Sequence, residues 1–231
     1  MSGALTDTSI LAGASAATGY DIDQSLRFDD GSSSTLSRTP SSAGNRKTWT
    51  WSGWLKRSDT TTYQALFGTG NFASGSTFGG MYFEGTTGNH GTLYLYDPAN
   101  SCSKQTTAKF RDPSAWYHIM GVMDATNTVA RIYINGEEQT DFISNVNPTN
   151  TDGNFNDNTL TFIGGNASTS AYYVDGYLAE VHLIDGQALT PASFGETDAA
   201  TNQWKPIEYT GSYGTNGFYQ KYSSTELADS F

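Results

Sequence analysis

Apolar residues recur in this chain at a period of two, in short runs separated by turn residues. The strongest run is Tyr172–Gln187, YYVDGYLAEVHLIDGQ, followed by Ala188-Leu189-Thr190. Val174, Tyr177, Ala179, Val181 and Leu183 line one face, while Asp175, Glu180, His182 and Asp185 mostly face the other way or cap the ends. This predicts a long antiparallel strand with one buried face, stopped by the turn pair Asp185-Gly186. Thr48–Arg57, TWTWSGWLKR, predicts a second. Trp49 and Trp51 share a face, and Trp54 lies opposite unless Gly53 marks a bulge.

Weaker strand patterns cover Ser25–Phe28, Thr35–Arg38, Gln64–Gly68, Gly80–Glu84, Thr92–Tyr96, Ala108–Phe110, Trp116–Met123, Val129–Ile134 and Thr159–Gly164. Asn135-Gly136 is the best hairpin turn pair. The one helix candidate is a turn or two at Pro191–Phe194, with Thr190 as N-cap and Pro191 in the first position. Many short strands without an amphipathic helix predict an all-β fold, a two-sheet antiparallel jelly-roll sandwich. Trp116 and Val181 are assigned to its core, so Trp116→Ala is expected to cost about 3–5 kcal/mol. The sandwich is expected over 21–200, after an extended N-terminal arm (1–20) and before an aromatic-rich C-terminal extension (201–231) or link to a further module. The arm is too small and polar to order alone, and is expected to dock on other proteins.

Charge narrows the partners. A formal net charge of −11, with scattered basic residues, argues against nucleic acid. No apolar run is long enough to span a membrane. The N-terminus lacks the basic start of a secretion signal. The single cysteine, Cys102, excludes an internal disulfide framework and Cys-rich zinc sites, and points to folding in a reducing cytosol.

Several phrases carry a resemblance: Ser25-Leu26-Arg27-Phe28-Asp29, Trp49–Trp54, Trp116-Tyr117-His118-Ile119 with Val122 and Asp124, Ile132–Gly136, and Tyr172–Thr190. In this order and spacing they resemble laminin-G/pentraxin-like domains of the concanavalin-A-like lectin and glucanase group. A narrower resemblance rests on TSILAGAS, SLRFDDGSSSTLSRTPSSAGNRKTWTWSGWLKR, VDGYLAEVHLIDGQALTPASFGE and WKPIEYTGSYGTNGFY. These are similar to proteins of marine bacteriophages described as tail-fibre or virion structural proteins with a laminin-G-like domain. The resemblance implies a virion surface protein, made in the host cytoplasm, that displays a lectin-like sandwich for host-surface glycan adhesion. Homo-oligomers, contacts to other virion proteins through 1–20, and a host envelope glycan are the partners it implies. A structural cement or connector of the capsid or tail is the alternative, with a polysaccharide-degrading enzyme third.

Candidate chemistry is sparse, and an enzyme is not expected. Glycoside hydrolysis needs two flanking carboxylates, and the nearest run, Glu180-x-His182-x-x-Asp185, puts Asp185 off the parity of Glu180. No HExxH, GxSxG or Walker motif occurs. Sugar recognition by rim aromatics would use Tyr82, Tyr94, Tyr96, Tyr172 and Tyr173, with Tyr63 beside them. Calcium is the cofactor the resemblance suggests. Its candidate ligands are Asp152, Asn154, Asn156 and Asp157 of TDGNFNDN, which is not an EF-hand because the twelfth position from Asp152 is Ile163. Asp and Asn also build loop turns on their own, which is the favoured reading of that loop. Asp29, Asp30 and Asp175 are lesser candidates.

Overall fold

The computed structural model describes residues 19–74, 76–166 and 171–223. Strands are numbered in chain order. The first sheet runs β1 (Leu26–Phe28), β13 (Gly176–Asp185), β3 (Thr48–Arg57), β8 (Tyr117–Asp124), β9 (Val129–Ile134) and β10 (Glu137–Glu138), with β16 (Phe218–Gln220) also on β13. The second runs β11 (Phe142–Val146), β7 (Cys102–Thr106), β6 (Leu93–Asp97), β5 (Gly79–Phe83), β4 (Gln64–Thr69), β12 (Thr161–Ile163) and β2 (Leu36–Arg38). Pairing is antiparallel. This is the all-β sandwich the alternation predicts.

The core fills the space between the sheets. β3 contributes Trp49, Trp51 and Leu55, all fully buried, and sheet two answers with Phe67, Met81, Phe83, Leu93 and Leu95. Trp51 stacks on Phe67 at 5.7 Å and Trp49 meets Phe155 at 4.9 Å. Trp54 points the other way, onto His118. The Asn135-Gly136 turn forms between β9 and β10, and its φ values of 49° and 82° are those a tight hairpin needs.

β13 departs from strict alternation. Its register against β3 slips between Ala179 and His182, and Glu180 has φ 49°. This bulge gives the strand one extra residue, so the faces shift. Leu178, not Ala179, joins Val181 and Leu183 in the core. Glu180 and His182 both come to stand on the outer face, 3.9 Å apart.

Trp116 does not join the core as expected but is 38% exposed, while Val181 is fully buried as expected. Along β8, Ile119 and Met123 point inward, and His118 points outward beside Trp54. Trp116 shares the parity of His118, so the same alternation that buries Ile119 turns this indole out. Trp116→Ala is therefore expected to change unfolding stability by less than about 1 kcal/mol. A denaturant titration showing a loss above about 2 kcal/mol would mean a buried indole.

The expected arm lies outside the described residues up to position 18. Tyr20 is fastened down: its hydroxyl donates to Glu180 at 2.6 Å and meets the Tyr219 hydroxyl at 2.9 Å. The C-terminal segment, where described, does not stand apart from the sandwich. It pairs β14 (Gly195–Thr197) with β15 (Trp204–Pro206) and adds β16 to the first sheet. Its Tyr209 and Tyr213 cover the outer-face cluster of Met120, Val122, Ile184 and Phe194. Between these parts Pro191–Ser193 makes one 3-10 turn, and Thr190 precedes it without a side-chain cap bond. Among the described residues no helix is long and apolar enough to cross a membrane.

Candidate functional site

The outer face of the second sheet is aromatic because two neighbouring strands alternate in phase. In β5 and β6, Met81, Phe83, Leu93 and Leu95 enter the core, so Tyr82, Tyr94 and Tyr96 point out. Tyr82 and Tyr94 are cross-strand partners and stack at 4.9 Å. Phe72 packs on Tyr82 at 4.6 Å and on Tyr172 at 4.3 Å, and Tyr172 meets Tyr63 at 5.3 Å. One aromatic surface thus runs from Tyr96 to Tyr63. Tyr82 is its buried floor, 8% exposed, whereas Tyr94, Tyr96, Tyr172 and Tyr173 are half-buried. Phe72, which bridges Tyr82 and Tyr172, carries no signal in the sequence because it sits in a single 3-10 turn, Phe72–Ser74, without strand period.

At one end this surface opens into a cleft of about 410 Å³ lined by Asp30, Thr61, Thr62, Tyr63, Tyr172 and Tyr173. Tyr172 holds a left-handed backbone, φ 59°, which is costly for an aromatic residue. Its carbonyl is fixed by Ala65 N–H at 2.8 Å. Burial, and then the Glu84 carboxylate, push the Tyr63 phenol well above its ordinary range. Tyr63 therefore remains a neutral hydroxyl.

An acidic group adjoins the cleft. The pairing of Phe28 with Gly176 sets Asp29 and Asp30 across from Asp175. Carboxylate oxygens of the three lie within 4.8 Å of one another. Partial burial and the charge of Asp30 raise the Asp175 carboxyl, and Arg27 offsets part of this from 3.2 Å. Arg27 also lies 3.7 Å from Asp29. Three carboxylates against one guanidinium leave two negative charges on hard oxygen donors, which suits a divalent cation such as calcium.

The TDGNFNDN loop does not gather its oxygens in this way. Asn154 N–H and Phe155 N–H donate to the buried Asp97 carboxylate at 2.8 and 3.2 Å. The Asn156 amide donates to Asp185 at 2.6 Å, and that of Asn154 to the Ser76 carbonyl at 3.0 Å. Asp157 pairs with Arg46 at 3.1 Å, and Asp152 is exposed. The loop presents donors inward to two buried carboxylates, so its Asn residues serve structure.

A serine–histidine pair on the outer face of the first sheet imitates a catalytic dyad. His118 Nε2 lies 2.8 Å from Ser52 Oγ. The Trp204 indole, which can only donate, gives its N–H to His118 Nδ1 at 3.0 Å. Nδ1 is thus the acceptor, Nε2 carries the proton and donates to Ser52, and the imidazole has no free base position for that hydroxyl. Nor do Glu180 and Asp185 form an open carboxylate pair. Glu180 accepts from two tyrosine hydroxyls, and Asp185 from backbone and amide donors.

Comparison with known proteins adds a family. The family model described as "Concanavalin A-like lectin/glucanases superfamily" matches residues 29–193. Among solved structures, a putative carbohydrate binding protein from Bacteroides ovatus superposes with TM-score 0.61 at 14% identity, over 87% of this chain and 52% of that one. This chain thus spans about half the length of that protein. A heptameric SAP-like pentraxin from Limulus polyphemus superposes with TM-score 0.50 at 15% identity, over 88% of this chain and 94% of the other. At such identities these likenesses concern the fold. No curated protein matches.

Proposed function

The chain belongs to the concanavalin A-like lectin/glucanases superfamily, and from that premise we propose that it is a non-enzymatic carbohydrate-binding module displayed on a phage particle. One observation carries the reading: the tyrosine cleft opens directly beside the Asp29–Asp30–Asp175 group. Tyrosine faces pack against the apolar face of a sugar ring, and the threonine and tyrosine hydroxyls match its hydroxyls. Asp29, Asp30 and Asp175 would hold calcium, which supplies a charge to bind sugar hydroxyls and joins the two loops that carry the cleft. The likeness to a protein named for carbohydrate binding supports this. Display on a virion is supported by the resemblance of the FDDGSSSTLSRTP and WKPIEYTGSYGTNGFY phrases to marine-phage proteins. In that setting residues 1–20 attach the module to other virion proteins, and homo-oligomers or repeated copies present it to the host envelope.

A shallow cleft of this kind binds at millimolar to micromolar strength, about −4 to −8 kcal/mol, and repeated copies raise it by about 10²–10⁴. A multimerised domain is expected to bind host-envelope glycans on an array in calcium. Chelator, Asp175→Asn or Tyr173→Ala should each weaken it about tenfold or more. No binding in either condition would sink the adhesin reading in favour of a connector.

A further inference from the structure

A cleft roomier than the tyrosine cleft lies on the outer face of the first sheet, with a volume of about 720 Å³. It is lined by Trp54 of β3, Trp116 just before β8 and Trp204 of β15, and by the segment 19–25 with Asp21 and Asp23. Two of the indoles are held in place by one buried imidazole. Trp204 stacks over His118 and donates its N–H to it, while Trp54 packs on it at 5.2 Å. Trp116 is left 38% exposed, the one tryptophan among the exposed large hydrophobics of the described residues. Trp54 and Trp204 both pack on His118, at 5.2 and 5.8 Å, and not on each other.

We propose that this groove is a second ligand site, separate from the tyrosine cleft, and that it takes a neutral oligosaccharide. The volume lies in the range of small-molecule sites, about 300–1,000 Å³, which fits a few sugar rings and not a protein domain. Indole faces pack on the apolar faces of linked pyranoses, and a quaternary ammonium group, which aromatic rings also attract, is the competing ligand that the test separates. Charge sets the specificity. Asp21, Asp23 and Asp198 line the groove, and its one lysine, Lys205, is already bridged to Asp198 and Glu196 at 3.2 Å. Carboxylates accept hydrogen bonds from sugar hydroxyls and repel uronates, sialates and sulfated sugars. The groove does not include the Asp29–Asp30–Asp175 group, so binding in it is expected to survive chelation.

The test is a tryptophan-fluorescence and calorimetric titration of the full chain in excess chelator. The probes are cello-, malto-, xylo- and chito-oligosaccharides of three to six rings, with polygalacturonate fragments and choline chloride alongside. At least one neutral series is expected to bind and to shift the indole emission. Trp116→Ala should weaken that binding about tenfold or more with an unchanged melting temperature. Ile143→Ala, a distant exposed apolar residue, should leave it unchanged. The proposal is overturned if no neutral series binds in chelator, if Trp116→Ala binds as the parent does, or if choline or the anionic fragments bind instead. Because chelator is present throughout, failure here leaves the calcium-dependent reading of the tyrosine cleft standing.

Discussion

Asp185→Ala is expected to lower unfolding stability by about 3–5 kcal/mol, a large share of what a domain of this size has to lose. Asp185 ends β13 and is 5% exposed. Its Oδ1 accepts from Asn45 N–H at 2.7 Å and from the Asn156 amide at 2.6 Å, and its Oδ2 from Asn216 N–H at 3.0 Å. Three segments far apart in the chain, around positions 45, 156 and 216, thus converge on one carboxylate. Removing it strands three donors that no other side chain is placed to satisfy. Asp185→Asn keeps one oxygen for the two Oδ1 bonds but sets an amide N–H against Asn216 N–H, so an intermediate loss is expected. Equilibrium denaturation of the three proteins checks the order. Equal stability of Asp185→Ala and the parent would show that these donors reach solvent.

This carboxylate shows where sequence reading stops. The Asp185-Gly186 pair correctly marks a strand end, and period two correctly places Trp49, Trp51 and the Leu93–Asp97 alternation. Those are local facts, fixed by neighbours two residues away. That Asp185 is buried depends on residues 29, 140 and 31 positions distant, and no period encodes that. The bulge at Glu180 is hidden for a related reason. An inserted residue reads like any other until the partner strand shows the slip, so alternation alone assigns Ala179 to the wrong face. Ala108–Phe110 reads as strand yet is irregular, whereas β7 at Cys102–Thr106 and the polar β11 at Phe142–Val146 gave no pattern strong enough to name.

The candidate site was legible in part. Tyr82, Tyr94 and Tyr96 fall on one face by alternation alone, and the structure joins them to Tyr172 through Phe72. Asp29, Asp30 and Asp175 come together only through the register of β1 on β13. The oxygen-rich composition of TDGNFNDN suits either calcium or loop turns, the favoured reading, because Asn offers a donor as well as an acceptor, and here the donors point inward. Trp116 misled because a tryptophan in a strand is usually buried, and the groove that leaves it open is made by segments at both ends of the chain.

His118 should make the fold sensitive to acid. It is 1% exposed, and burial pushes its pKa down to about 3 from an ordinary 6.5. The geometry agrees. A proton added at Nδ1 would displace the Trp204 N–H bond and set two donors face to face. Between about pH 6.5 and 3 the unfolded histidine binds a proton that the folded one refuses. Its contribution is therefore whole above about pH 6.5 and is lost as pH falls, at ~1.4 kcal/mol per unit. His182 is pushed the same way by burial and then by the nearby His118, so the difference between the parent and His118→Gln isolates the His118 part. Denaturant midpoints measured from pH 7.5 to 4.5 should fall steeply for the parent. His118→Gln loses stability at neutral pH, because its amide does not reproduce both bonds, but its slope with pH should be shallower by about one proton. Parallel slopes for the two proteins would show that His118 titrates normally in the fold, and that the Ser52–His118–Trp204 chain is open to water.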